Sequence, residues 1–256
     1  MRRDLSVRET VFVALGMYVL WVIVTFLLEG RLRTLLRPEA TGNRLLYAVV
    51  ANLLVGTLLG LWLVRQFVAS SILTRDRLGF RSLPRTAIAV GVTGLVGAAF
   101  YVFQNPSTTN LVVVANVFAQ VLPTSIAEVV VCWVLVGASI EALVRDHVSQ
   151  YLATGVAVIV ASVLFGVYHV AHSPPFNTLS QIVLLTAVGT VTSLVYFLGR
   201  DFYATIVLHN ALAVIGITRS LAAAGELELF TTPRLPLFAV AAVAIVLLVG
   251  ADGIFV

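Results

Sequence analysis

Long apolar runs, separated by short polar or charged segments, make up almost the whole chain. A bilayer core about 30 Å thick is crossed by roughly 20 apolar helical residues, and about eight stretches approach that length. The predicted membrane helices are 11–28, 45–64, 86–103, 111–140, 151–171, 178–198, 202–218 and 235–249. The pattern therefore predicts an all-α, polytopic transmembrane helix bundle, with residues 1–256 forming a single transmembrane domain.

The run 111–140 leaves the number of membrane crossings open. As one straight helix it would extend about 45 Å at a rise of about 1.5 Å per residue, and Pro123 interrupts it. Proline removes a backbone donor and kinks or ends a helix. The bundle has eight crossings if this run crosses once, and nine if the chain turns back at Pro123.

Composition supports the membrane assignment. Apolar residues make up 60% of the chain and charged residues 11%, whereas soluble domains carry about 25% charged residues. This excludes a cytosolic globular enzyme and a disordered protein, and the single cysteine excludes a disulfide scaffold. The net charge of +4 is too small to indicate nucleic-acid binding.

The ends of the apolar runs predict how the chain lies in the membrane. The run 11–28 exceeds the apolar part of a signal peptide, and no small-residue cleavage site follows, so it is predicted to be the first membrane helix. The excess of arginine places the N-terminus in the cytoplasm for either crossing count and leaves the C-terminus open. We expect a multi-pass protein of the cell membrane, in which the basic segment 65–85 orients the chain or contacts anionic lipid headgroups.

Three ionisable residues lie inside predicted membrane helices: Glu128, His169 and His209. Charge is costly in hydrocarbon, so such residues indicate a functional site. Glu128 is expected near the start of its helix, His169 near the end of the next, and the helix of His209 ends on that same side. All three can therefore meet in one half of the bilayer. Two histidines and a carboxylate are a ligand set for zinc, and a carboxylate beside imidazole can equally activate water.

At these residues the chain resembles the CPBP family of intramembrane metalloproteases, which includes CAAX prenyl proteases and bacteriocin-processing or immunity proteins. That family carries the motifs EExxxR, FxxxH and Hxxx[ND] in this order. Residues 165–169 match the second motif, and His209 begins the third. The resemblance covers roughly 122–216, the core that carries the site. It implies a hydrolase that cleaves a peptide or membrane-protein substrate, lipidated in the CAAX branch.

The first motif is incomplete. Ala127 stands where the family has the glutamate taken to activate water, Glu128 is kept, and Cys132 replaces the arginine. A second alignment, with Glu141 and Arg145, keeps the spacing from glutamate to arginine but lies close to a helix end. Catalysis has either been rearranged onto Glu128 or been lost.

The third motif also departs from the family pattern. Ala213 occupies the position of the expected Asn or Asp, and Asn210 follows His209 directly. Successive helical residues are about 100° apart, so Asn210 is not on the same face as His209. It would add a hydrogen bond to the site only where the helix is distorted.

The leading hypothesis is an intramembrane endopeptidase with Glu128, His169, His209 and Asn210 as its site. Glu128 acts as base towards a water, His169 shares that water or binds a metal, and His209 is a second ligand or stabilises the oxyanion. One divalent metal such as zinc, bound by His169, His209 and Glu128, would be the cofactor.

Two alternatives belong to other functional classes. One is a catalytically degenerate relative that acts as a membrane immunity or scaffold protein. The other is a small transporter that uses the same side chains as a proton relay. Peptidase activity gained on Ala127→Glu substitution would indicate a decayed active site.

Overall fold

A computed structural model describes residues 5–37 and 39–255, and every regular element within them is helical. We number the eight main helices α1 to α8. Their bounds are α1 Val7–Gly30, α2 Thr41–Ala69, α3 Leu83–Phe103, α4 Leu111–Arg145, α5 Gln150–Ala171, α6 Leu179–Gly199, α7 Phe202–Ala224 and α8 Leu235–Phe255. The predicted all-helical bundle is confirmed.

The lengths of these helices agree with a chain that crosses a membrane several times. In the described part of the chain, seven spans are long and apolar enough to cross, and Leu235–Gly250 is a shorter apolar helix. The third span begins with the one-turn helix Arg75–Leu78, which precedes α3. Hydropathy thus predicted the helices well but placed several of their ends a few residues too early or too late.

Pro123 does not form a hairpin. It lies inside the α-helical part Leu111–Glu128 of α4, which continues to Arg145. A turn at this point would leave backbone N–H and C=O groups unpaired deep in the hydrocarbon, whereas a continuous helix pairs nearly all of them. The nine-crossing alternative is therefore wrong, and Glu128 lies near the middle of its helix instead of near its start.

Helix α4 forms the centre of the bundle. Its most apolar stretch is 89% buried, against at most 56% for the other six spans. A helix that is apolar on all faces is expected to be surrounded by other helices. The first half of α4 packs against α2, α7 and α8, and its second half packs against α1 and α5. A side chain on α4 can therefore meet residues from most of the chain.

The middle of α4 is wound as a π-helix over Val129–Gly137, directly after Glu128. Such segments are rare and often lie at functional sites, because one extra residue per turn changes which side chains share a face. All nine residues of the segment are buried. Within it, Trp133 Nε1 donates to Ser193 Oγ of α6 at 2.6 Å.

Two glycines let α5 and α6 pack closely. A Cβ on Gly166 would overlap Thr186 Oγ1, and a Cβ on Gly189 would lie 2.8 Å from Phe165 Cδ1. Small residues at helix contacts are typical of membrane bundles, where close backbone approach replaces the hydrophobic driving force. This contact fixes the end of α5, where His169 lies.

Candidate active site

Glu128 comes from the centre of the bundle. It is the last residue of the α-helical part of α4 and is only 5% exposed. One of its carboxylate oxygens, Oε2, lies 2.8 Å from Nε2 of His209. The other, Oε1, lies 3.8 Å from Nε2 of His169. The two histidines predicted from the sequence thus both lie next to the carboxylate of Glu128.

His169 is held in place by its own helix. It begins the 3₁₀ turn that ends α5, and its Nδ1 donates to the carbonyl oxygen of Phe165 at 2.9 Å. A carbonyl can only accept, so Nδ1 carries the hydrogen. In the neutral ring, Nε2 is then an acceptor. His169 therefore presents a lone pair towards Glu128.

His209 is oriented from α6. Its Nδ1 lies 3.0 Å from Oγ1 of Thr192, and that hydroxyl donates its only hydrogen to the carbonyl oxygen of Val188 at 3.1 Å. Nδ1 of His209 must therefore be the donor to Thr192. The Nε2 atom faces Glu128, so the two groups share a proton across 2.8 Å.

Phe165, the first residue of the FxxxH motif, separates and supports the two histidines. Its ring centroid lies 4.8 Å from that of His169 and 5.1 Å from that of His209, both in edge-on geometry. Trp133 contacts His209 from another side at 5.2 Å. These aromatic contacts limit the rotation of both imidazoles.

The site opens into a cavity of about 740 Å³. Glu128, His169 and His209 all line it, and most of the other lining side chains are apolar, with more of them from α7 than from any other helix. This volume is within the range of about 300–1,000 Å³ that is typical of ligand pockets. The arrangement places a carboxylate and two imidazoles at the wall of an apolar chamber.

The donor types suit zinc, but their arrangement does not. Ligand atoms around a tetrahedral zinc ion are more than about 3 Å apart, whereas Glu128 and His209 bond each other directly at 2.8 Å. Within residues 5–37 and 39–255, no group of three or more His, Cys, Asp or Glu side chains is arranged to hold a metal ion. The zinc site remains a prediction, and no chemical step below depends on it.

Asn210 does not join the site. It is fully buried on α7, is not part of the cavity wall, and neither amide atom has a hydrogen-bond partner among the described residues. The helix is regular here, so Asn210 keeps its rotation of about 100° from His209. Ala213, where the family motif has Asn or Asp, does line the cavity.

Position 127 faces away from the cavity. The Ala127 side chain is fully buried against Gly56 of α2. A Cβ added to Gly56 would lie 2.5 Å from the Cβ of Ala127. A glutamate at 127 would enter this contact and not reach the histidines. Glu128, one residue later, is the carboxylate that faces them.

Glu141, the second candidate for the first motif, is part of a different cluster. Its carboxylate binds the guanidinium of Arg200 through both oxygens, with Nη1 of Arg200 2.9 Å from Oε2. It also accepts a hydrogen bond from Thr154 Oγ1 at 2.6 Å. Glu141 is not among the residues that line the cavity.

A group of polar residues next to the site was not predicted as a unit. The hydroxyl of Tyr47 lies 3.2 Å from Nε2 of His172 and 3.2 Å from the hydroxyl of Tyr168. Tyr168 stacks on Trp21 at 3.9 Å. The spacing of His169 and His172 was the one signal in the sequence, and nothing in it showed that Tyr47 of α2 would meet them.

One comparison with known proteins found a family match. Residues 122–215 match the family described as type II CAAX prenyl endopeptidase Rce1-like. The match contains Glu128, His169 and His209, and it confirms the resemblance to CPBP proteases. The seven long apolar helices are those of a multi-pass membrane protein, and residues 122–215 resemble the type II CAAX prenyl endopeptidases. No curated protein and no solved structure matches the chain.

Proposed function

We propose that the protein is an intramembrane endopeptidase in which Glu128 and the two histidines activate water. The observation that carries this proposal is the single carboxylate that lies 2.8 Å from His209 and 3.8 Å from His169 at the wall of the cavity. In a charge-poor environment such a carboxylate and its partners interact strongly. The family match supports peptide hydrolysis as the reaction.

Water would bind between the two acceptors. Glu128 Oε1 and His169 Nε2 lie 3.8 Å apart. One water molecule beside this pair can donate a hydrogen bond of ordinary length to each of the two atoms. Both hydrogens of that water then point to the protein, and a lone pair points into the cavity. As the water oxygen attacks the carbonyl carbon, Glu128 takes one proton, and the C–O bond forms.

His209 would stabilise the tetrahedral intermediate. Its Nε2 shares a proton with Glu128 and can direct it to the oxyanion as negative charge develops there. Such stabilisation is often the largest contribution to catalysis. When the C–N bond breaks, the proton held by Glu128 passes to the leaving nitrogen. The products are a carboxylic acid and an amine, which together carry both hydrogens of the water, and the enzyme returns to its starting state.

The substrate we propose is a peptide with an attached prenyl group. The family description names a CAAX prenyl endopeptidase, and the chamber next to Glu128 is lined mainly by apolar side chains, including Leu184, Val188 and Leu212. An apolar chain buried there gains about 25 cal/mol per Å² removed from water. The other expected partners are membrane lipids, and nucleic acid is not one.

The test is cleavage of a quenched fluorescent peptide that carries a farnesylated cysteine. With protein purified in detergent, Glu128→Gln should lower the rate at least about 100-fold, because a general base contributes roughly 10²–10⁴-fold. The matched control is Glu141→Gln, assayed below its unfolding temperature, since this buried glutamate lies outside the cavity. Equal rates for Glu128→Gln and the wild type would refute the proposal and favour the degenerate binding protein.

We also propose that the N-terminus is cytoplasmic and that the protein lies in the cell membrane. Segment 65–85 then lies on the cytoplasmic side, after two crossings. In an Arg85→Cys variant, a membrane-impermeant maleimide should label inverted vesicles and not intact cells. Cys132, the single natural thiol, is buried and serves as the internal blank.

A further inference from the structure

The cavity that holds the proposed catalytic residues also has an arginine in its wall. Among the described residues that line it, Arg219 is the one side chain with a permanent positive charge. It lies on α7, ten residues after His209, so the two Cα atoms are about 15 Å apart along the helix axis. The cavity thus extends along α7 from the catalytic residues to a cation that the mechanism above does not use.

Arg219 belongs to a polar rim of the cavity, formed with Gln104, Gln181 and Ser220. Gln104 directly follows α3, Gln181 lies in the first turn of α6, and Ser220 lies near the end of α7. Consecutive spans cross a membrane in opposite directions, so these three helix ends lie on the same side. The polar rim is therefore near a membrane surface, where charged groups keep contact with water.

Arg219 has hydrogen-bond donors left for a ligand. Its Nη2 donates to Oε1 of Gln104 at 2.7 Å and to the carbonyl oxygen of the same residue at 3.2 Å. This contact holds the guanidinium at the polar rim. In the described part of the chain, Nε and Nη1 have no hydrogen-bond partner and no carboxylate pairs with the guanidinium. Arginine is always charged and only donates, and Arg219 is exposed, so an anion can reach it.

We propose that Arg219 binds the C-terminal carboxylate of the peptide substrate. This inference rests on the proposed peptidase function. A carboxylate in an apolar cavity is costly unless a positive group pairs with it, and Arg219 supplies that group. Residues of an extended peptide are about 3.3 Å apart, so a separation of about 15 Å along α7 corresponds to about four or five residues. The substrate therefore ends inside the cavity, a few residues after the bond that is cleaved.

An anionic lipid headgroup is the other negatively charged group found at a membrane surface. The position of Arg219 favours the peptide, because Arg219 lines the same cavity as Glu128 and is held there by Gln104. In this assignment Arg219 determines specificity: it contributes to substrate affinity and takes no part in bond cleavage. Loss of the contact should raise KM and leave kcat largely unchanged, because the water and Glu128 are untouched.

The test compares two farnesylated peptides of the same sequence, one ending in a free carboxylate and the other in an amide. For the wild type, the amide should raise KM about tenfold, the lower end of the range for a hydrogen bond to a charged group, because Arg219 is exposed. Arg219→Gln should raise KM for the free acid by the same factor. For the amide it should change KM by less than about twofold, since the interaction is already missing. Arg219→Lys keeps the charge and should lose less.

The matched control is Arg85→Gln, since Arg85 is an exposed arginine that does not line the cavity. It should keep the wild-type KM for both peptides. An Arg219→Gln protein with KM raised equally for acid and amide would overturn the inference, because it would assign Arg219 a structural role. A KM that changes with phosphatidylglycerol added to the detergent, equally for both peptides, would assign Arg219 to a lipid phosphate and overturn it as well.

The outcomes separate this inference from the proposed function. A wild-type protein that cleaves acid and amide with the same KM refutes only the role of Arg219, and this comparison decides even if Arg219→Gln does not fold. A wild-type protein that neither cleaves nor binds the peptides refutes the peptidase proposal, and the inference fails with it. If the wild type binds without cleaving, the peptidase proposal is refuted, and the ratio of the two affinities, measured by fluorescence anisotropy, decides the role of Arg219.

Discussion

The ion pair between Glu141 and Arg200 should hold together parts of the chain that are far apart in sequence. Arg200 ends α6 in a left-handed conformation, with φ of 50°, and binds both oxygens of Glu141 on α4. Its Nη1 also donates to the carbonyl oxygen of Arg77 at 3.1 Å. The side chains are 14% and 3% exposed for Arg200 and Glu141. We therefore expect Arg200→Met to destabilise the bundle strongly.

The size of the effect follows from burial. Removing one partner of a buried pair leaves an uncompensated charge and costs about 3–5 kcal/mol. We expect the lower end, about 3 kcal/mol, because Arg200 keeps some contact with solvent. For a chain of this size that corresponds to a fall of about 6–12 °C in the unfolding temperature. Combining Arg200→Met with Glu141→Leu should recover part of the loss, since no charge is then left unpaired.

The single buried cysteine provides the assay. Cys132 is fully buried, so a thiol-reactive fluorescent maleimide reports its exposure as the detergent-solubilised protein is heated. The matched control is Arg37→Met, which removes the exposed pair of Arg37 and Glu39, whose side chains are 54% and 61% exposed. Exposed pairs contribute about 0–1 kcal/mol, so this variant should unfold near the wild-type temperature.

Two results would refute the reasoning. An Arg200→Met protein that unfolds at the temperature of the Arg37→Met control would show that the buried pair contributes no more than an exposed one. A double variant less stable than Arg200→Met alone would show that the loss comes from packing of Glu141 and not from its unpaired charge.

Three further predictions concern the site. Gly166→Ala should lower the free energy of unfolding by about 1–3 kcal/mol, because the added Cβ overpacks against Thr186. In the maleimide assay this variant should unfold at a lower temperature, and an unchanged unfolding temperature would contradict the close contact of α5 with α6. Ala127→Glu should gain no peptidase activity and unfold earlier, because the side chain meets Gly56; a faster cleavage rate would overturn this. The metal-free mechanism proposed above predicts that activity survives 1,10-phenanthroline, whereas the zinc site predicts inhibition that added zinc reverses.

The helices were predictable from hydropathy because the membrane requires long apolar segments, but their ends were not. The first helix was predicted from residue 11, yet it begins at Val7. Ser6 caps it: the Ser6 hydroxyl accepts a hydrogen bond from the Glu9 N–H, and the Glu9 carboxylate accepts one from the Ser6 N–H. The fourth was predicted to end at residue 140, yet it continues through Glu141 to Arg145. The predicted helices ended wherever the uncharged run met a charged residue. In the folded protein such a residue can still be part of the helix, where it is paired or caps the helix end.

Glu128, His169 and His209 meet as predicted, although the argument from helix ends placed Glu128 near the start of its helix and it lies near the middle. The contact between Tyr47 and His172 was not predicted. Periodicity within a helix shows which residues share a face, and it does not show which face of a distant helix lies opposite. Long-range hydrogen bonds of this kind depend on packing that the sequence pattern leaves undetermined.

The incomplete first motif is best understood from the faces of α4. Successive residues on a helix differ by about 100°, so a carboxylate at 127 and one at 128 serve different neighbours. Here 127 packs against Gly56 and 128 faces the two histidines. The π-helical segment that starts at Val129 then shifts the register of every later residue on α4. Glu128 precedes this segment and lies at the two histidines. The peptidase proposed above needs a carboxylate on the face of α4 that lines the cavity, and Glu128 lies on that face.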